Sequence, residues 1–298
     1  MRAEVRALQE AMAQEGYIAD EAIATALLLT GQLRKPLLIE GDAGVGKTEI
    51  AKVLARLHGT ELIRLQCYEG LDVSTALYEW NYPRQMLRVR MSEQEGIDAE
   101  RMEHTVFGRS YLLERPLLRA ITRREGPAVL LIDEIDRADE AFEAFLLEVL
   151  SDFQVTIPEL GTLRAEHVPH VVLTSNCTRE IGDALRRRCL YLHLDHPSLE
   201  KEVRILRSRV PGASEALAQQ IGRFVQALRA RRLARAPGVA ESIDWARALV
   251  HLHQDHLDGE VVRATLGCLV KDRHDLRDLH PAELDQLLAE AGREAAGS

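Results

Sequence analysis

The sequence predicts an α/β domain built on a parallel sheet of five strands, followed by a small all-helical domain. Three observations carry this. Five short apolar runs recur with helical patterns between them. Several runs are nearly continuous in Val, Ile and Leu, as in strands buried on both faces of a parallel sheet. After the fifth run the strand signal stops and helical patterns take over.

The runs are Pro36-Leu-Leu-Ile-Glu40, Glu61-Leu-Ile-Arg-Leu65, Ala128-Val-Leu-Leu-Ile132, His170-Val-Val-Leu-Thr174 and Leu190-Tyr-Leu-His-Leu194. A helix is expected from Glu49 to His58, closed by Gly59. A second is expected from Asp139 to Leu150, with Phe142, Phe145, Leu146, Val149 and Leu150 on its apolar side. Gln154-Val-Thr-Ile157 alternates, turns through Pro158-Glu-Leu-Gly161 and returns as Thr162-Leu-Arg-Ala165, which reads as a β-hairpin. Residues 67–112 form a long mixed segment with Trp80, Tyr82 and Met86, whose aromatics are expected to pack in a core. An acidic stretch, Glu93 to Glu103, lies within it. Helices are then expected over Ser198–Arg209, Ser214–Arg232, Ala240–Leu252 and Glu260–Val270, punctuated by Pro197, Pro211-Gly212 and Pro237-Gly238. The expected domains are 1–196, with a short N-terminal helical segment, and 197–298, with a frayed tail from Glu290.

Composition narrows the partners. The 298 residues are 46% hydrophobic and 29% charged, ordinary for a globular protein, and the net charge is −9. An acidic balance argues against nucleic acid as the main partner. Cys67, Cys177, Cys189 and Cys268 show no metal or redox spacing. The longest apolar stretch, Ala22 to Leu29, is far short of the ~20 residues needed to span a bilayer. The N-terminus carries Arg2, Glu4, Arg6 and Glu10 and lacks a signal-peptide apolar core. A cytoplasmic protein with no membrane span is expected. His251, His253 and His256 lack the spacing of a metal site and are expected to be a solvated helix end.

The strongest motif is Gly41-Asp42-Ala43-Gly44-Val45-Gly46-Lys47-Thr48, a Gly-x-x-x-x-Gly-Lys-Ser/Thr loop between a buried strand and a helix. At average composition such a string arises by chance in roughly one chain in 100 of this length. Its glycines permit positive φ and bring backbone amides against phosphate oxygens. The following helix offers its unpaired first amides to the same charge. Lys47 is expected to reach the β- and γ-phosphates of ATP, and the Thr48 hydroxyl to hold Mg²⁺. Glu49, in the first turn, completes the candidate nucleotide-contacting stretch. The third run ends in Asp133-Glu134. Asp133 is expected to be the second contact to Mg²⁺, and Glu134 to polarise the water that attacks the γ-phosphate. Asp136 and Arg137 read by default as an ion pair.

With these motifs placed, the chain resembles the AAA+ ATPases, and Leu131-Ile-Asp-Glu-Ile-Asp-Arg137 resembles their MoxR branch. The resemblance extends through Phe142 to Gly161, Gln66 to Asp72, Leu77 to Asn81 and Asp183 to Tyr191. These stretches look like MoxR members associated with maturation of carbon monoxide dehydrogenase and related molybdenum hydroxylases. The resemblance implies a P-loop αβα sandwich with a helical lid, and an ATP hydrolase that remodels or matures a client metalloenzyme. It implies a homo-oligomeric ring, a hexamer, and a von Willebrand factor A-type partner. It makes Asn176 the sensor that orients the attacking water. It also places an arginine finger among Arg186, Arg187 and Arg188, with Arg188 favoured and then Arg187. Many relatives carry a lid arginine where this chain has Ser242, so that contact to the γ-phosphate is unassigned, with Arg235 and Arg247 as substitutes. In such relatives the hairpin at 154–165 faces the ring pore. Two other functions stay open on the sequence: a nucleic-acid motor or clamp loader, and a nucleotide-dependent scaffold with little hydrolysis.

Overall fold

The computed structural model describes residues 1–95, 98–231 and 233–293. Two helices come first, α1 (Arg2–Gln14) and α2 (Glu21–Leu33), then β1 (Leu37–Gly41), α3 (Lys47–Leu57) and β2 (Leu62–Gln66). Short elements follow: α4 (Val73–Ala76), β3 (Tyr78–Trp80), α5 (Tyr82–Glu95), α6 (Ala99–Val106), β4 (Leu112–Glu114) and α7 (Pro116–Thr122). Next come β5 (Val129–Asp133), α8 (Glu140–Asp152), β6 (Gln154–Ile157), β7 (Gly161–Arg164), β8 (His170–Ser175), α9 (Asp183–Arg188) and β9 (Leu190–Leu194). The C-terminal region holds α10 (Leu199–Arg209), α11 (Glu215–Arg229), α12 (Val239–His251), α13 (Gly259–Thr265), α14 (Arg273–Asp278) and α15 (Pro281–Arg293).

The five expected runs form one parallel sheet in the order β2-β5-β8-β1-β9. Burial follows position in the sheet. The inner strands β1 and β5 are buried at every residue. The outer strands β2 and β9 alternate, because one face of each meets solvent. On β2 the exposed positions are Arg64 and Gln66. The register pairs Gln66 with Asp133 and Glu40 with Ser175, so the carboxyl ends of the strands line one edge. In open parallel sheets that edge is where ligands bind.

Helix starts follow local chemistry. Asp139 caps α8 by accepting from the Phe142 amide at 2.8 Å, and Ser198, Ser214, Asp258 and Asp272 cap α10, α11, α13 and α14. Pro116 opens α7, where a missing N–H costs nothing.

The chain divides into two compact units. One comprises 1–8, 21–40 and 48–193; the other comprises 9–20, 41–47 and 194 onward. The first has a core of Leu38, Leu117, Leu130, Ile132, Phe142 and Leu173. The second packs Leu206, Phe224, Trp245, Leu249 and Leu287, with the Phe224 and Trp245 rings 5.3 Å apart.

The structure corrects several expectations. Two C-terminal helices, α14 and α15, follow the four that the sequence pattern marked. Glu290 to Arg293, expected as tail, is the end of α15, and Ala291 is buried against the second core. The expected tail residues 294–298 lie outside the described residues, as do 96 and 97 of the acidic stretch. The aromatics of the mixed segment split. Trp80 is buried and meets Phe107 edge-on at 5.4 Å, whereas Tyr82 and Met86 are exposed on α5. The hairpin forms as β6 and β7, with Val155 and Ile157 turned into the core. His256 is exposed beside Asp255, and no metal-binding cluster of three His, Cys, Asp or Glu side chains occurs among the described residues. Among those residues no helix is long and apolar enough to cross a membrane.

Candidate nucleotide site

The loop half begins where β1 ends. Gly41 has φ 151°, and a Cβ there would stand 2.2 Å from the Leu194 carbonyl oxygen, so only glycine fits. Gly44 has φ 79°, and a Cβ on it would press on the Cα of Gly238 at 3.0 Å. Two glycines thus allow backbone to meet backbone, and the Val239 amide, opening α12, donates to the Gly44 carbonyl at 2.9 Å. Asp42, Ala43, Val45 and Gly46 complete the turn into α3, which starts at Lys47. Lys47 is buried, and its Nζ donates to the carbonyls of Gly41 at 2.6 Å and Asp42 at 2.7 Å. The ammonium is therefore fixed under the loop rather than extended into solvent. The first amides of α3 have no partners within the helix, which suits an anion. Glu49, two residues on, is 3.3 Å from Lys52 on the same helix.

Near this loop, His196 is 3.4 Å from Asp42. Burial lowers its pKa first, and the nearby Arg229 cation lowers it further.

The strand-end half is centred on Asp133, the last residue of β5, which is 3% exposed. Its Oδ1 accepts from the hydroxyls of Thr48 at 3.1 Å and Thr174 at 2.5 Å, and its Oδ2 accepts from Arg64 at 2.5 Å. A hydroxyl and a carboxylate in contact are hard oxygen donors. They suit Mg²⁺, which typically takes one or two protein oxygens and completes its shell with water and phosphate. Thr48 and Asp133 therefore fit the metal.

Glu134 turns out of the strand with φ 55° and ψ 50°, a left-handed conformation uncommon for a residue with a long side chain. Its amide donates to the Thr174 hydroxyl at 3.0 Å, which anchors the turn. Its carboxylate accepts from Gln66 at 3.0 Å and pairs with Arg137 at 2.8 Å. Asp136 and Arg137 are thus not paired with each other. Asp136 instead accepts from the amides of Asn176 at 3.3 Å and Thr178 at 3.0 Å, and from the Thr178 hydroxyl at 2.5 Å. Asp136 and Arg137 both lie in the 3₁₀ turn Ile135–Arg137, where three residues per turn set adjacent side chains about 120° apart, and this separates the two directions. Asn176 lies half-buried immediately after β8, tied through Asp136 to the segment that follows Glu134.

The three arginines of α9 differ. Arg186 pairs with the buried Glu40 at 2.8 Å, while the Tyr191 hydroxyl donates to the other oxygen of Glu40 at 2.9 Å. Arg188 is exposed and donates to the Leu147 carbonyl at 3.1 Å. Arg187 is exposed and has no polar partner among the described residues. The lid position Ser242 is buried, and its hydroxyl donates to Glu202 at 2.7 Å. Arg247 is exposed beside Asp244 at 3.5 Å, and the Arg235 amide donates to Asp275 at 3.3 Å.

Sequence reasoning missed Arg64, Gln66 and Thr174. The signal for the first two was present: they are alternate residues at the end of a strand, so they share a face. Thr174 sits two residues before the chosen Asn176, inside an otherwise apolar run.

Comparison with known proteins bears on the family and the fold. The family model for the AAA domain (dynein-related subfamily) matches residues 36–189, which span β1 through the end of α9. Gas vesicle ATPase GvpN2 of Halobacterium salinarum is 25% identical over 94% of this chain and 82% of its own length. Denitrification regulatory protein NirQ of Pseudomonas aeruginosa is 24% identical over 65% of this chain and 67% of its own. A RuvB mutant from Thermotoga maritima superposes with a TM-score of 0.50 at 18% identity, over 86% of this chain and 70% of that one, and this likeness concerns the fold alone. The model match covers more than half of the residues, from the phosphate loop to the arginine helix, and the chain belongs to the dynein-related subfamily of AAA domains.

Proposed function

We propose that this protein is a MoxR-type ATPase that binds ATP with Mg²⁺, hydrolyses it, and spends the energy remodelling another protein. The observation that carries the reading is the contact between Thr48 and Asp133 at 3.1 Å, with Glu134 next in the chain. A loop hydroxyl and a strand-end carboxylate meet there, as magnesium binding beside a triphosphate requires. The name of the gas vesicle relative supports the ATPase activity.

In this reading the backbone of 41–46 and Lys47 hold the phosphates, and Glu49 borders them. Thr48 and Asp133 hold the metal, which offsets the developing phosphate charge. Glu134 accepts a proton from the attacking water, and Asn176 orients that water. Arg188, or Arg187 beside it, serves the site of a neighbouring copy in a ring, expected to be a hexamer. Arg187 suits that task because its charge is uncommitted, whereas Arg186 is engaged with Glu40. The proposed partners are a von Willebrand factor A-type protein and a client metalloenzyme resembling the molybdenum-containing carbon monoxide dehydrogenases. The hairpin β6–β7 is a candidate client contact. The proposed location is the cytoplasm.

The test compares two variants of the assembled protein. Lys47→Ala should lose nucleotide binding. Glu134→Gln should bind a fluorescent ATP analogue within a few-fold of wild type and hydrolyse ATP at least ~10²-fold more slowly. Wild-type turnover by Glu134→Gln would reject the assignment. The same variant, held in ATP, should co-purify with a molybdenum hydroxylase subunit from its native cell, and a different client would displace the finer reading.

A further inference from the structure

Arg64 has no role in the reading above, yet its guanidinium contacts the strand-end carboxylate Asp133 directly. Its Nη2 is 2.5 Å from Asp133 Oδ2 and 2.6 Å from Gln66 Oε1. Gln66 in turn donates to Glu134 at 3.0 Å. One guanidinium thus touches the proposed metal ligand directly and the proposed base through one amide.

Three features bear on what this contact does. Asp133 is almost fully buried, and a buried carboxylate without a counter-charge is costly. The two hydroxyls lie on Oδ1, and Arg64 is a charged partner of Oδ2. The Arg64 side chain is itself 52% exposed on the outer strand β2. It can withdraw into water with little desolvation or packing penalty. A guanidinium and a divalent cation on one carboxylate repel each other strongly at such short range. Occupancy by one therefore opposes occupancy by the other.

We propose that Arg64 is an exchangeable counter-ion for Asp133, which holds the carboxylate while the site is empty and gives it up to Mg²⁺. Its departure also removes the hydrogen bond that fixes the Gln66 amide, so the hold of Gln66 on Glu134 loosens in the same event. The proposal rests on the magnesium-nucleotide reading of this site. It adds that metal affinity is set partly by a residue outside the metal's own ligands, through the fraction of molecules in which the competing arginine is seated.

The experiment titrates Mg²⁺ against wild type, Arg64→Met and Arg64→Lys at fixed concentration of a fluorescent ADP analogue, with Arg119→Met as a control for loss of one surface charge. Thermal unfolding is followed in parallel, in EDTA and in saturating Mg²⁺-ADP. For Arg64→Met the Mg²⁺ midpoint should fall about three- to fivefold, the upper part of the range for an exposed ion pair because the carboxylate is buried. Arg64→Lys, which keeps a cation, should stay within about twofold of wild type. The melting temperature of Arg64→Met should drop in EDTA and return to the wild-type value with Mg²⁺-ADP. An unchanged midpoint, or a melting deficit of equal size in both buffers, would overturn the counter-ion role while leaving the nucleotide site intact. If no protein bound the analogue at any Mg²⁺ concentration, the site reading and this proposal would fall together.

Discussion

Asp133 and Glu202 are both buried carboxylates held by an arginine, at 3% and 0% exposure, and they are built for opposite purposes. Glu202, on α10, is enclosed. Arg229 grips it with two bonds of 2.6 and 2.8 Å, Ser242 adds a third and Gln226 a fourth. Arg229 is itself buried and also donates to the Pro237 carbonyl at 2.8 Å. Every partner of Glu202 is locked in place. Asp133 has locked partners on one oxygen and a half-exposed arginine on the other. A carboxylate saturated from inside the protein fixes a helix packing. One whose last partner faces water keeps a position open for exchange.

The comparison can be broken most decisively at Glu202. Arg229→Met leaves that carboxylate buried without its counter-charge, so urea denaturation should show a loss of about 3–5 kcal/mol. A loss below about 1 kcal/mol would mean that water reaches Glu202 and that the two carboxylates are less different than their burial says. Thr174→Val sharpens the other side. It removes the hydroxyl that donates to Asp133 and accepts from the Glu134 amide, and should cost about 1–3 kcal/mol. It should also weaken Mg²⁺-dependent nucleotide binding, whereas a stability loss with unchanged binding would make Thr174 purely structural.

The smallest effect is expected from a neutral pair. His58 and His170 stack with ring centroids 4.5 Å apart, and burial holds the pKa of each below the ordinary 6.5. The folded state therefore takes up protons less readily than the unfolded chain. The stability involved is fully present above 6.5 and is lost as pH falls through 6.5 toward the lowered values. The melting temperature should hold above about pH 6.5 and fall as pH drops below it. His170→Phe, which keeps a ring in the stack and removes one titrating group, should lessen that fall. An equal fall in both proteins would assign the acid sensitivity elsewhere.

Much of the sheet and the phosphate loop was legible because each rests on local pattern. A run such as Val129–Asp133 declares a buried strand ending in a charge, and Gly41–Thr48 encodes its own turn through positive-φ glycines. Interactions across strands were not legible. The sequence separates Arg64 from Asp133 by 69 positions and Thr174 from Asp133 by 41, and only sheet register makes them neighbours. Asp136 and Arg137 were misjudged for the same reason in reverse. Adjacent in sequence, they were sent to different partners by the 3₁₀ turn Ile135–Arg137 that holds them both. Lys47 gives a middle case: its identity marks the motif, but its fixed place under the loop carbonyls belongs to the folded backbone.

The sequence by itself determined the kind of chemistry: a glycine-rich loop, a lysine, a hydroxyl and strand-end carboxylates, all set by residue type and short-range spacing. Tertiary structure alone decided which charges were committed and which remained available. It sealed Glu202 with Arg229, engaged Arg186 with Glu40 and left Arg64 at the solvent edge of Asp133. The reason is physical. An ion pair depends on distance and on access to water, and both are fixed only when strands and helices distant along the chain pack side by side.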